Sequence, residues 1–259
     1  VIWVTEPNVF RDDDGALGAA AESVGDVVLR WRDDWWLSDR WPRLTGEVVM
    51  FHGSLGNADR IAAELPWRPG AWCTTDRFRC SEWWPTAAGR LVSADWRFTT
   101  AAGLVADGFP ESWGTACFVR PDSPLKPFSG RVVSRDRLSL RALDHGFYYD
   151  DEELPVVVTP VCEVGEEWRF VVAGGAVVTG SGYRADGRSP AGTVLPGHPA
   201  WTYAQAVVAE IEPPDAGFVL DVVETADGLR LLELNPFSGA DLYDCDRDAV
   251  VAAVHSLLG

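Results

Sequence analysis

Two rhythms of apolar and polar positions divide this chain. Over the first hundred residues, short apolar runs at 1–5, 26–31 and 47–51 have strand character, while 14–24 and 58–65 have helical character. Strands alternating with helices predict a small parallel sheet flanked by helices. A further helical stretch, 99–107, stops at Gly108-Phe109-Pro110. The boundary is expected there, between an α/β domain of residues 1–107 and a second domain of residues 108–259.

Strands dominate the second part. One is predicted over 115–120, and the nearly continuous apolar run at 154–161 suits a buried strand. Segments 168–173 and 176–180 are joined by Gly174-Gly175, a two-residue hairpin signal. A helix over 199–211, a second hairpin from 218–223 and 229–235, and a terminal helix over 246–258 complete an α+β pattern.

Charge narrows the function. Lysine and arginine total 22 against 39 acidic residues, so the net charge is 22 − 39 = −17. Such a chain is repelled by phosphate backbones and anionic lipid, which argues against a nucleic-acid or membrane role. No apolar run approaches the roughly 18 residues of a membrane span. The first five residues read as a strand and not as an export signal. Five widely spaced cysteines form no metal-type pairs, so reduced thiols in a cytoplasm are expected. Tryptophans crowd the first hundred residues, among them Trp35, Trp36, Trp83 and Trp84, but without the lysines of a base-stacking surface. A dinucleotide fingerprint is absent after the first strand. Gly53 and Ser54, in His52-Gly53-Ser54-Leu55-Gly56, lie between a strand and a helix, where a substrate could approach the backbone. A tight strand-to-helix turn is the competing reading.

The second hairpin carries the most informative chemistry. Asp221, Glu233 and Asn235 interrupt otherwise apolar strands. A two-residue Asp227-Gly228 turn would put Asp221 and Glu233 on opposite faces. A three-residue Ala226-Asp227-Gly228 loop pairs Thr225 with Leu229, sets Asp221 across from Glu233, and places Glu224 beside Arg230. The second register is expected. Two facing carboxylates in a buried site need a cation, and hard oxygen ligands suit magnesium. Similar counting from Gly174-Gly175 sets Arg169 opposite Gly180 and Glu167 opposite Gly182, with room for a ligand beside the glycines. Glu167, Arg169 and Arg184 then share one face. A surface salt-bridge cluster is the alternative.

With these residues in view, the chain resembles the ATP-grasp superfamily. Asp221, followed twelve residues on by Glu233-Leu234-Asn235, is similar to its magnesium-binding aspartate and Glu-x-Asn strand. Phe118-Val119-Arg120-Pro121, with Lys126 and Phe128-Ser129-Gly130, resembles its phosphate-holding strand and loop. Glu167-Trp168-Arg169-Phe170 with Ser181-Gly182-Tyr183-Arg184 resembles the strand bearing a ribose-binding glutamate and a basic partner. Lys126, Arg169 and Arg184 together look like the clade named for two arginines and one lysine. Two departures stand out: Arg120 replaces a common lysine, and the adenine hinge Thr159-Pro160-Val161 lacks an acidic residue.

The resemblance implies a Rossmann-like pre-ATP-grasp domain followed by an ATP-grasp fold. It also implies ATP and magnesium as cofactors. The implied activity joins a carboxylate and an amine, either small molecules or peptides, through an acyl phosphate. Arg169, Arg184 and Lys126 would be catalytic, and Arg120, Lys126, Thr159, Val161 and Glu167 would hold the nucleotide. Asp221, Glu233 and Asn235 would hold the metal, with Gly53 and Ser54 near the acceptor. A phosphotransferase on the same scaffold and a non-enzymatic nucleotide-binding module are the competing readings.

Overall fold

The structure is a computed structural model that describes every residue except 11–14, 39, 147–149 and 184–189, and the side chains of 38, 190 and 191. The amino-terminal sheet contains β1 (Ile2–Thr5), β2 (Val27–Arg30), β3 (Val48–His52) and β4 (Arg68–Gly70), all parallel in the order β2-β1-β3-β4. Helices α1 (Ala16–Ser23), the short α2 (Asp34–Ser38) and α3 (Leu55–Glu64) connect them. Trp3, Val4, Val49, Met50 and Phe51 are fully buried, as strands covered on both faces require. Helix α3 begins three residues before its expected start, directly after the Gly53-Ser54 turn.

A short helix, α4 (Cys80–Trp83), precedes an antiparallel sheet of β5 (Arg97–Thr100), β6 (Ala116–Pro121), β7 (Arg131–Ser134) and β8 (Pro155–Pro160), ordered β5-β8-β6-β7. Helix α5 (Ala101–Asp107) follows β5, which occupies the start of the expected 99–107 helix. Thr100 caps α5 by accepting from the Gly103 N–H. Because β5 pairs with β8, residues 97–107 join this sheet and not the parallel one with which they were grouped from the sequence.

The third sheet is built from β9 (Glu167–Ala173), β10 (Ala176–Tyr183), β11 (Pro190–Val194), β12 (Gly217–Thr225) and β13 (Gly228–Pro236), antiparallel in the order β11-β10-β9-β12-β13. Helix α6 (Pro199–Glu210) covers one face together with Phe78, Trp83 and Trp84. On the other face Val171 and Val219 pack with α7 (Arg247–Leu258), Trp3 and Met50, so this sheet and the parallel one share a core. Farther along that face the apolar residues give way to Arg169 and Asp221. Among the described residues no helix is long and apolar enough to cross a membrane.

Two bulges set the registers. In the β12–β13 hairpin Thr225 pairs with Gly228, Glu224 with Leu229 and Val223 with Arg230, which corrects both the expected three-residue loop and the Glu224–Arg230 pairing. Gly228 does take the left-handed region (φ 96°). Leu232 is then the extra residue of a bulge, and that bulge brings Asp221 opposite Glu233 after all. In the β9–β10 hairpin Ala173 pairs with Ala176 as expected. A bulge at Val178 then moves Ser181 opposite Arg169 and Tyr183 opposite Glu167. The space beside Gly180 is filled by the Phe170 ring, within 2.5 Å of a built Cβ, and is not open to a ligand.

The seam between the parallel sheet and the third sheet is tight at Gly217, where a Cβ would lie 2.2 Å from the Trp72 ring. Trp72 is itself buried, edge-on to Phe237. Gly217→Ala should therefore overpack the seam and cost about 1–3 kcal/mol. Urea unfolding of the two proteins measures this, and an unchanged midpoint would show that the seam can relax.

Candidate active site

Cross-strand pairing sets Asp221 between Glu233 on β13 and Arg169 on β9. Arg169 donates from Nε and Nη2 to the two carboxylate oxygens of Asp221, at 2.9 and 2.8 Å. Its Nη1 donates to the Asp241 carbonyl at 2.8 Å, and the guanidinium lies 4.8 Å from the Tyr243 ring centroid. The Asp221 side chain is only 1% exposed, so its charge must be matched inside the protein. Bidentate geometry does this with directed hydrogen bonds. Burial opposes the charge on Arg169, but Asp221 outweighs burial and raises the guanidinium pKa further. Asn235 donates from Nδ2 to Asp221 Oδ2 at 3.2 Å, on the same face.

A second cluster centres on Glu233. Arg120, on β6, donates to Glu233 Oε1, and Lys126 Nζ lies 2.9 Å from the same oxygen. Lys126 is 43% exposed, so it reaches the carboxylate from the solvent side. Its backbone is left-handed (φ 49°), a conformation that costs a non-glycine residue and recurs at functional sites. Burial opposes ionisation of Glu233, but the charges of Arg120 and Lys126 overcome it and hold the carboxyl well below the usual range.

Arg120, Lys126 and Glu233 border a cavity of about 280 Å³, also lined by Trp84, Phe118, Phe128, Ser129 and Thr159. Val161, expected with Thr159 at the hinge, is 46% exposed and is not part of that lining. Glu167 borders a separate cavity of about 600 Å³ with Tyr183, Thr193 and His198. Burial raises the Glu167 pKa, and the charge of Asp221 adds to this against a hydrogen bond from Tyr183. A third cavity, about 480 Å³, opens at the carboxyl ends of β1, β2 and β3, lined by Glu6, Arg30 and His52. Ser54 donates its N–H and hydroxyl to Glu6, at 2.8 and 2.7 Å, and the Gly53 N–H donates to the Ser238 carbonyl. Ser54 thus braces Glu6 on the rim of this cavity, while Gly53 ties the same turn to Ser238; neither residue lines the cavity itself. Arg184 lies outside the described residues.

The donor set fits magnesium. Asp221, Glu233 and Asn235 supply hard oxygen atoms on one face, and magnesium fills its remaining positions with water and phosphate. Among the described residues no group of three or more His, Cys, Asp or Glu forms a metal cluster. Arg120, Lys126 and Arg169 surround these acids, and Arg120 and Lys126 border the cavity. Tyr243 and the Asp241 carbonyl, both on Arg169, were not singled out as site groups from the sequence. Tyr183 stands inside a recognised motif, yet only the bulge reveals which way it faces.

Three sheets with a basic and acidic cleft between the second and third define an ATP-grasp fold. Residues 96–253 match the family model described as the ATP-grasp domain of R-two-K clade family 2, and the chain belongs to that family. The ATP-grasp domain takes ATP with magnesium as its cofactors. Among solved structures it is similar to the D-cycloserine synthetase DcsG, at 17% identity and a TM-score of 0.69, with 100% of each chain covered. It also resembles the ATP-grasp ligase PsnB, complexed with precursor peptide PsnA2 and AMPPNP, at 12% identity and a TM-score of 0.60, covering 100% of this chain and 97% of that one. A third is D-alanine–D-alanine ligase from Bacillus anthracis complexed with ATP, at 12% identity and a TM-score of 0.57, covering 99% and 94%. At these identities the likeness is one of fold. No curated protein matches the chain.

The two ion-pair clusters differ in how they should respond to mutation and pH. Asp221→Asn strands the buried Arg169 charge and should cost about 3–5 kcal/mol in urea unfolding, whereas a surface pair would cost under about 1. The Glu233 carboxyl is lowered in the folded state. Its stabilisation is therefore complete above the unfolded value of about 4.3 and is lost as pH falls through the folded value. Glu233→Gln should flatten the loss of stability below about pH 4.3, read from unfolding midpoints along a pH series.

Proposed function

We infer that this chain joins a carboxylate to an amine through an acyl phosphate. The carrying observation is the buried face on which Asp221 and Glu233 oppose each other, one bound to Arg169 and the other to Arg120 and Lys126. Such a face suits a triphosphate with its metal, because cations and oxygen donors alternate across it.

In the first step a substrate carboxylate oxygen attacks the γ-phosphorus, the bond to the β–γ bridging oxygen breaks, and ADP leaves. An amine nitrogen then attacks the acyl carbon, the bond from that carbon to the phosphoryl oxygen breaks, and phosphate leaves with the proton that the nitrogen gives up. Little covalent chemistry is asked of the protein, so positioning and charge matching supply the catalysis. Arg120 and Lys126 exchange Glu233 for phosphate oxygens when the nucleotide enters. Asp221, Glu233 and Asn235 would hold magnesium, which would supply charge neutralisation for the phosphates. Arg169 fixes Asp221 and faces the transferring group, with Arg184 as its expected partner. Thr159 and Val161 serve the adenine side and Glu167 the ribose. Residues 126–130 close over the nucleotide and exclude water from the acyl phosphate.

The amino-terminal unit serves the acceptor. Gly53 and Ser54 support the cavity at the carboxyl ends of the parallel strands, the usual place for ligands in open α/β sheets. The similar structures include a ligase with a bound precursor peptide and a ligase for D-alanine, so both peptide and small-molecule acceptors belong in the test.

Incubation with ATP, magnesium and pools of amino acids and peptides should yield ADP, phosphate and a new amide by mass spectrometry. ADP with a phosphorylated acceptor would instead establish a phosphotransferase. Glu233→Gln should lower turnover at least a hundredfold with the fold retained by circular dichroism, since lost charge stabilisation at such sites costs on that order. Lys126→Ala should weaken nucleotide binding, and near-normal values for both variants would remove the acidic and basic groups from the mechanism.

A further inference from the structure

Among the described residues, four that are not glycine have left-handed backbone: Asn8 (φ 62°), Lys126 (φ 49°), Asp144 (φ 63°) and Tyr243 (φ 47°). Asparagine and aspartate tolerate that region, because a short polar side chain can hydrogen-bond locally. For lysine and tyrosine it is strain. Both strained residues lie on the acidic face. Lys126 reaches Glu233, and the Tyr243 ring lies against Arg169, which holds Asp221. Such strain persists only where surrounding contacts overdetermine it. At Tyr243 they do. Its N–H donates to Asp241 Oδ1 at 2.9 Å, and its carbonyl accepts from Arg247 Nη2 at 2.8 Å. The next residue is held as well: the Asp244 N–H donates to Ser181 Oγ at 3.2 Å, and Asp244 Oδ2 accepts from the Gly192 N–H at 3.0 Å.

The strained turn presents the Tyr243 ring to Arg169, whose guanidinium carbon lies 4.8 Å from the ring centroid. Arginines face rings elsewhere too, Arg60 over Trp36, Arg90 over Tyr203 and Arg131 over Phe128. Their side chains are 47%, 32% and 27% exposed, against 10% for Arg169. A cation–ring contact strengthens as water is removed, so the contact at Arg169 is the least screened of these four. Arg169 commits three of its five N–H groups, two to Asp221 and one to the Asp241 carbonyl. The other two have no acceptor among the described residues. Under the proposed function the Asp221 oxygens would also serve magnesium, which would loosen their hold on Arg169. The Tyr243 ring uses none of those oxygens and holds the guanidinium independently of them.

We propose that Tyr243 is a positioning residue for phosphoryl transfer: its ring, presented by a strained turn, keeps the Arg169 guanidinium in place so that the two uncommitted N–H groups meet the transferring phosphoryl group. The proposal rests on the role that the proposed function gives to Arg169, and adds the residue that keeps Arg169 there.

The test compares wild type with Tyr243→Asn, Tyr243→Phe, Arg169→Lys and the double variant of Tyr243→Asn with Arg169→Lys. ADP release from magnesium-ATP in the amino-acid and peptide pools gives turnover, and titration with ATP gives affinity. Asparagine accepts the left-handed backbone and removes the ring, whereas phenylalanine keeps the ring. Tyr243→Asn should lower kcat roughly tenfold to thirtyfold, the size of a desolvated cation–ring contact. Its ATP affinity should stay within about twofold, because Arg120 and Lys126 would hold the phosphates. Tyr243→Phe should rescue turnover to within about threefold of wild type. In the Arg169→Lys background, Tyr243→Asn should add less than about twofold, since a residue acting through Arg169 has nothing left to position. Without nucleotide, the unfolding midpoint of Tyr243→Asn should stay within about 4 °C of wild type, relief of backbone strain offsetting the lost contact. A lowered midpoint with unchanged kcat would make the ring merely structural and overturn the proposal, as would a Tyr243→Phe variant as impaired as Tyr243→Asn. Wild-type turnover in Arg169→Lys would remove the role given to Arg169, and with it the reading on which the proposal rests. Impaired turnover there, with an unimpaired Tyr243→Asn, would remove the assignment of Tyr243 alone.

Discussion

The bidentate pair between Arg169 and Asp221 is the constraint around which this molecule is arranged. Either charge left alone at that depth would be costly, and together they are tolerable only because their hydrogen bonds are directed. The pair crosses from β9 to β12, and the third guanidinium nitrogen holds the carbonyl of Asp241 in the loop after β13. Three pieces of chain separated widely in sequence are therefore fixed relative to one another by one side chain. Rigid placement of this kind is what a site needs when positioning supplies most of the catalysis.

Glu233 is held differently, and the contrast bears on function. Arg120 is half-buried with it, whereas Lys126 approaches from solvent on a loop with a left-handed residue. The Asp221 carboxylate is enclosed by its hydrogen bonds from Arg169 and Asn235, while Glu233 borders the cavity. Under the proposed function, the cations on that open side would exchange a carboxylate for phosphate oxygens while the Arg169–Asp221 pair stays in place.

Close backbone approaches hold the cleft to the parallel sheet. Gly53 donates to the Ser238 carbonyl, and Ser238 Oγ accepts from the Trp72 N–H at 3.0 Å. Gly239 packs against Leu55, with a built Cβ only 2.5 Å from that side chain. The turn after Asn235 is thus clamped between β13 and the strand ends of the amino-terminal sheet.

The sequence by itself determined the alternation of strands and helices, the two hairpins and the set of acidic and basic side chains. Periodicity and turn residues are local properties, and the apolar flanks of Asp221 and Glu233 already implied burial. Apolar pattern alone did not disclose β4, β5, β7 and β11, which are only three to five residues long. Register was decided by tertiary structure. The facing of Asp221 and Glu233 was expected from a three-residue loop, but a tight turn and the bulge at Leu232 produce it, because long-range pairing with β9 fixes which face each strand presents. The bulge at Val178 likewise put Tyr183 and not Gly182 beside Glu167. A single inserted residue reverses every side chain beyond it, and nothing local in Val177-Val178-Thr179 marks where the insertion falls. Residue types therefore named the chemistry, and packing between sheets chose which of those residues meet.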